Sequence, residues 1–392
     1  MAQAHTPMPL IHGQNAFVLA TRAVSAAITR FGAMLAPVTF FADSGAPIMP
    51  YSIPPWATEP ALSSVPPLLR ALRGDFMCSA FGDNGTPYDG VVIPPHGDTA
   101  NGGWMVLEKR STALGTALRL AMDLPTQGGR CIGTTALIEG HQFVYQRHDF
   151  EGLSGAINPG HHAMLACSPA LGSALLSFSP WAFAATSPQR AALTENKARS
   201  QLVPGKFADG PAAMPTVNNG TVDLTSFPTE ERADDVFLVC SKPTAALAWS
   251  AATFPARGYA WIALRRAAQL PSTLVWLSNG GRFESPWNGR HAPVLALEDI
   301  IGYFASGLAE SAQHNALVAR GIPTCLIVTP GLPILIPYIQ GLVRIPADFG
   351  RVAAVEPAGP GELLVLGAGG GRVATPCRWE FLTELCIPGL CE

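Results

Sequence analysis

Tyr259-Ala260-Trp261-Ile262-Ala263-Leu264, followed after one short connection by Leu274-Val275-Trp276-Leu277, reads as two β-strands: short runs of aromatic, aliphatic and β-branched residues between turn formers. Similar runs recur at Gln142-Phe143-Val144-Tyr145, Val236-Phe237-Leu238-Val239, Cys325-Leu326-Ile327-Val328 and Leu363-Leu364-Val365-Leu366. Near the start, Val24, Ala26 and Ile28 alternate with Ser25, Ala27 and Thr29, and Gly32 interrupts before Met34-Leu35-Ala36-Pro37-Val38, a hairpin pattern within Val18 to Phe41. With 39 glycines and 36 prolines punctuating the chain, the pattern predicts many short strands joined by turns, in a large β-sandwich or barrel.

Helical signals are few. Arg110 to Met122 has helix-forming composition, and Ile300, Ile301, Phe304 and Leu308 make a short stripe after Asp299 that predicts a helix ending near Gly321-Ile322-Pro323. Between Ala184 and Asp234 the periodicity dissolves into Pro, Ser, Thr and Asn-Gly, which predicts a long surface excursion. No internal repeat and no linker is evident.

The 392 residues are 48% hydrophobic and 14% charged, enough to bury a core. A net charge of -3 without any basic run excludes a nucleic-acid footprint. No stretch approaches the roughly 20 apolar residues of a membrane helix, and Met1 to Gln14 lacks a signal-peptide pattern, so a soluble cytoplasmic protein is expected. The eight cysteines, without a Cys-x-x-Cys pair, read as reduced thiols in apolar surroundings.

Gly367-Ala368-Gly369-Gly370-Gly371-Arg372 resembles a dinucleotide loop only superficially, because Arg372 replaces the third glycine and Pro376 follows; a hairpin turn is expected. Nucleophile-elbow, Walker and zinc spacings are absent, and neither a cofactor nor a metal is expected.

Two stretches concentrate proton-carrying side chains among glycines: Pro95-His96-Gly97-Asp98-Thr99-Ala100-Asn101-Gly102-Gly103-Trp104 and Asn158-Pro159-Gly160-His161-His162-Ala163-Met164-Leu165. Histidine exchanges protons near neutral pH. In an extended segment His161 and His162 point opposite ways, so only one can enter a site. Trp104 offers either an apolar face to a ring or a core side chain. Glu298, in Ala296-Leu297-Glu298-Asp299-Ile300, is a carboxylate where a helix is expected to begin, a place that helix-dipole stabilisation alone would explain. Asn279, Arg282 and Trp287 in the segment before it are types that hydrogen-bond and stack on sugars, and Asp234 adds a carboxylate at a strand start.

The order of these landmarks resembles the aldose 1-epimerase (galactose mutarotase-like) family: a hairpin at Thr29 to Leu35, Ala80-Phe81-Gly82, His96-Gly97, Asn158 to Leu165, Asp234 to Phe237 and Glu298. The resemblance implies a mostly β chain, a large antiparallel β-supersandwich with a few short helices. A single domain would span 1–392, with 299–392 packed on it as a C-terminal extension. It also implies an isomerase interconverting sugar anomers without a cofactor. His162 would be the acid at the ring oxygen, Glu298 the base at the anomeric hydroxyl and His96 a helper. Asp234, Asn101, Trp104, Asn279, Arg282 and Trp287 would bind the substrate, a small sugar or sugar derivative. A homodimer is compatible with this reading. Asp83-Asn84 stands where the family has Asn-Arg, so the sugar-binding Arg is absent or replaced by Arg282 or Arg290. That departure keeps open an alternative, a non-catalytic carbohydrate-binding protein on the same scaffold.

Overall fold

The computed structural model describes residues 8–60, 65–188, 199–243 and 247–391. Two large antiparallel sheets lie face to face. The back sheet has nine strands in the order Ser226–Phe227, Ala174–Phe178, Leu247–Phe254, Tyr259–Arg266, Ile334–Arg344, Phe143–Glu151, Arg130–Ile138, Gly115–Asp123, Met105–Thr112. The site sheet runs Phe207–Ala208, Trp181–Thr186, Asp234–Ser241, Ser272–Ser278, Val294–Ile300, Gly160–His161, Met77–Cys78, with Ala163–Ala166 also paired to Val294–Ile300. Four strands from Leu10–Ile11 to Leu35–Phe40 form a separate sheet, whose apolar residues join the core between the two large ones.

The near-continuous apolar run Tyr259 to Leu264 follows from burial on both faces. Tyr259, Trp261 and Ala263 enter the core between the sheets, while Ala260, Ile262 and Leu264 enter a second core on the outer side of the back sheet. That outer core is closed by a three-stranded sheet, Val352–Gly359, Glu362–Gly367 and Arg372–Pro376, and by the segment around Phe381, Ile387 and Leu390. Gly367 to Arg372 makes the expected hairpin turn. On the free face of the site sheet, Leu274 and Trp276 meet a layer of loops carrying Trp56, Phe76, Phe81, Trp287 and Phe304.

Two expectations are corrected. Arg110 to Met122 is not a helix but parts of the strands Met105–Thr112 and Gly115–Asp123; Leu118, Leu120 and Met122 repeat every second residue and all face the intersheet core. Glu298 does not start a helix: it lies inside the strand Val294–Ile300, Phe304 takes a left-handed turn at φ 54°, and the only α-helix between Asp299 and Gly321 is Leu308–Ser311. Within 299–392, Ile334–Arg344 is a central strand of the back sheet, between Tyr259–Arg266 and Phe143–Glu151. The added layer starts at Val352. Of the excursion between 184 and 234, the described part contains short strands, such as Met214–Pro215 paired with Thr221–Val222, and one 3-10 turn, Pro211–Ala213; residues 189–198 lie outside the described residues.

Candidate active site

Strand alternation delivers Glu298 to the loop-covered face. Its even-numbered neighbours Val294, Ala296 and Ile300 pack there with Leu274 and Trp276, whereas Leu295 and Leu297 enter the intersheet core. Asp299 points the other way, into an ion pair with Arg265 at 2.8 Å and hydrogen bonds from Thr273, Ser250 and Tyr338.

His162 meets Glu298, with Nε2 at 3.4 Å from Oε1. Its backbone N–H donates to Asp75 Oδ1 and to the Phe76 carbonyl, both at 3.0 Å, and its ring stacks on Phe76 with centroids 4.8 Å apart. The neighbouring His161 turns into the intersheet core, hydrogen-bonded to Asp75 Oδ2 at 2.9 Å and stacked on Tyr338. One carboxylate therefore holds both halves of the pair, fixing which ring faces the site.

His96 completes the group, with its ring centroid 5.1 Å from that of His162 and Nδ1 3.5 Å from Cys78 Sγ. It occupies a left-handed conformation at φ 59°, and Gly97 follows at φ +74°, where a Cβ would fall 1.8 Å from the Ser79 backbone. Asn101 serves this turn: its Nδ2 donates to the Pro95 and Gly97 carbonyls, both at 2.7 Å. Asn84 pins the adjoining loop, donating to the Ala80, Gly82 and Pro94 carbonyls and accepting from Leu308 N–H.

Asp234 accepts a hydrogen bond from Trp276 Nε1 at 2.5 Å, while its Oδ2 is buried without a protein partner. Above Trp276 lies the segment joining the strands of Trp276 and Glu298. It contributes His291, stacked on Trp276, and Trp287, packed edge-on against Trp276 and Trp56. Arg282 covers Trp287 with its guanidinium 4.6 Å from the ring centroid and pairs with Glu284 at 3.0 Å. Ser278, Gly280, Arg282, Trp287, Gly289 and His291 line a niche with no room for a water-sized sphere. A cleft of about 370 Å³ on the far side of Trp56, lined by Gln14, Phe31, Glu59 and Arg70, includes none of these titratable groups.

Burial dominates the electrostatics. It raises the Glu298 carboxyl well above the usual range, helped by Asp83, and lowers His162 well below its usual value, helped by His96. Close packing and the Arg282 charge bring His96 and His291 to about 4. Burial pushes Asp234 up to about 6, against the opposing pull of Arg282 and Trp276. Burial thus favours a neutral pair, a protonated carboxyl beside a neutral imidazole, over an ion pair. Such a pair can give a proton at one atom and take one at another.

Searches for matching proteins agree with this architecture. No family model and no curated protein matches the chain. Solved structures do. A provisionally named aldose 1-epimerase from Klebsiella pneumoniae superposes with a TM-score of 0.57 at 12% identity, covering 87% of this chain and 83% of that one. A galactose mutarotase related enzyme from Lactobacillus acidophilus gives a TM-score of 0.53 at 10% identity, covering 84% and 97%. A protein from Synechocystis gives 0.54 at 15% identity, covering 88% and 99%. The chain has the galactose mutarotase-like fold.

On this mutarotase-like scaffold the sequence-predicted residues separate into groups. His96, His162, Glu298 and Asp234 converge around Phe76 and Trp276. Arg282 and Trp287 stand in the segment above them. Trp104 stands apart from them, a side chain of the intersheet core at 1% exposure whose Nε1 donates to the Thr99 carbonyl. Asn101 and Asn279 spend their Nδ2 groups on main-chain carbonyls, Asn279 on those of Thr229 and Glu231. Arg290 pairs with Glu59 away from the cluster, leaving Arg282 as the guanidinium whose charge is felt at His96, Asp234 and His291. Sequence reading missed His291, Asp75 and Trp276. The signal for His291 was its place seven residues before Glu298 in a Gly-, Arg- and Trp-rich segment. Among the described residues no three His, Cys, Asp or Glu side chains are grouped to hold a metal ion.

Proposed function

We propose that this protein is an aldose 1-epimerase-like isomerase, interconverting the anomers of a small sugar or sugar derivative by opening and reclosing its ring. The observation that carries the reading is the 3.4 Å approach of His162 Nε2 to Glu298 Oε1 beside Asp234 and His96. The two oxygens of a hemiacetal hang on one carbon, so the acid and base that serve them must stand close together. His162 protonates the ring oxygen while Glu298 takes the proton of the anomeric hydroxyl; the bond between the anomeric carbon and the ring oxygen breaks, leaving an open-chain aldehyde. Rotation presents its other face, and both transfers reverse. Sugar hydroxyls donating to Glu298 relieve the desolvation that keeps its carboxyl protonated, so binding shifts the shared proton to His162. His96 assists near the ring oxygen, Asp234 holds ring hydroxyls through its free Oδ2, and Arg282 takes the place of the family's arginine.

A second reading, a carbohydrate-binding protein without catalysis, draws on the closure of the cluster: His162 is 5% exposed and Glu298 2%. Entry of a sugar requires the segment carrying Arg282, Trp287 and His291 to lift. The deciding experiment is polarimetry or NMR exchange on a panel of free and phosphorylated aldoses. The isomerase reading expects acceleration by the wild type and a loss of about 10²- to 10⁴-fold in Glu298→Gln and His162→Gln. Sugar binding by calorimetry with no faster exchange selects the second reading.

A further inference from the structure

The segment after the last short helix, Phe381–Glu384, carries two thiols in Cys386-Ile387-Pro388-Gly389-Leu390-Cys391. The main chain closes on itself there. Leu390 and Cys391 N–H donate to the Ile387 carbonyl at 3.0 and 3.1 Å, and Gly389 takes the left-handed backbone of the turn at φ 76°. Closure brings the cysteines together: Cys386 Sγ donates to the Cys391 carbonyl at 2.6 Å, and Ile387 N–H donates to Cys391 Sγ at 3.2 Å. Burial raises the Cys391 thiol, and the adjacent Cys386 raises it further. Exposure divides the two. Cys386 is half-buried and reachable by a small molecule, whereas Cys391 is 5% exposed and shielded behind it. Cys78, Cys131, Cys240 and Cys377 are buried elsewhere.

We propose that Cys386 and Cys391 form a dithiol modification site, which a low-molecular-weight disulfide such as oxidised glutathione converts to an intramolecular disulfide. The Cys386 thiolate attacks one sulfur of the small disulfide, forming a mixed disulfide and expelling one thiolate that takes up a proton. Cys391 then attacks the Cys386 sulfur, forming the protein S–S bond and expelling the second small thiol. Two protein thiols are oxidised and one small disulfide is reduced to two thiols. The partially exposed cysteine receives the reagent and the shielded one resolves it, the arrangement that favours a closed product over a lasting adduct. The bond pins the turn whose Ile387, Leu390 and Cys391 pack with Tyr145 and Ile339 on the outer face of the back sheet, beside the bond from Arg147 to the Leu385 carbonyl.

The test is incubation of the folded full chain with oxidised glutathione, alkylation of remaining thiols and peptide mass spectrometry. The expected result is a peptide holding both cysteines, about 2 Da lighter than the reduced form and free of glutathione, restored by dithiothreitol. Cys391→Ser should trap glutathione on Cys386. The proposal is overturned if wild type keeps the adduct on Cys386, if either cysteine pairs with a different one, or if both are recovered fully alkylated.

Discussion

Glu298 and Asp299 are adjacent in the chain and opposite in environment. The strand sends Glu298 to His162 under the loops and Asp299 to Arg265 between the sheets. Because burial raises Glu298 and lowers His162, the pair keeps its one proton over a wide range. For the proposed reaction, kcat/KM should therefore follow the one-proton form of the pair. It should fall on the acid side only well below the ordinary histidine pKa, as a second proton arrives, and on the alkaline side only well above the ordinary carboxyl value, as the single proton leaves. NMR titration of the His162 imidazole checks this, and titration at or above the ordinary histidine value would contradict the shared-proton account. His148 offers a stability test of the same physics. Burial pulls it down to about 3, so between that value and about 6.5 the unfolded chain holds a proton that the folded chain lacks. Stability tied to this group is complete above pH 6.5 and is lost as pH falls toward 3. Replacing His148 with Gln should lower the slope of unfolding free energy against pH, between 4 and 6, by up to about 1.4 kcal/mol per unit; denaturant titrations at several pH values measure it.

The elements that carry the site are short, and loops do much of the positioning. Asn84 is the clearest case, because its amide fastens the loop of Phe81 to the Pro94 carbonyl beside His96 and its Oδ1 receives the first N–H of the helix Leu308–Ser311. Asn84→Ala leaves those groups without their partner and should cost about 2 kcal/mol. It should also loosen His96, seen as faster hydrogen exchange at the His96 and Gly97 amides. An unchanged melting curve would mean that solvent replaces the Asn84 bonds. Arg110 to Met122 teaches a separate lesson. Its composition suits a helix, yet a strand spacing of Leu118, Leu120 and Met122 was present and prevailed because only a strand could bury all three in the intersheet core.

At the scale of the whole molecule, the back sheet is covered on both sides, and apolar residues from Ile345 to Cys391 build its outer cover. Phe349, Val352, Leu363, Val365, Phe381 and Leu390 share one core with Tyr145, Trp249 and Ile262. We propose that the chain unfolds as one unit, with a single calorimetric transition. A variant ending at Ile345 should expose those back-sheet side chains and aggregate, measured by light scattering and recovery of soluble protein. A soluble, folded truncation would show that the outer layer is dispensable.

Hydrophobic alternation and turn chemistry are local properties, so the sequence by itself determined a mostly β chain, sandwich or barrel, and placed runs such as Tyr259 to Leu264 and Leu274 to Leu277 in strands. The order of His96, His162, Asp234 and Glu298 was equally legible, since order along a chain needs no coordinates. What only the tertiary structure decided was direction and company. Whether Glu298 capped a helix or lined a site depended on which face of Val294–Ile300 it occupied. Whether Trp104 met a ligand or the core depended on what packed over it. Asp75 was invisible, and His291 carried only its position as a signal, because their significance lies in contacts with residues far away in sequence: His291 with Ser52, and Asp75 with both His161 and His162. Such contacts form only when the sheets and loops close around them, since the burial that shifts these protons belongs to the assembled fold.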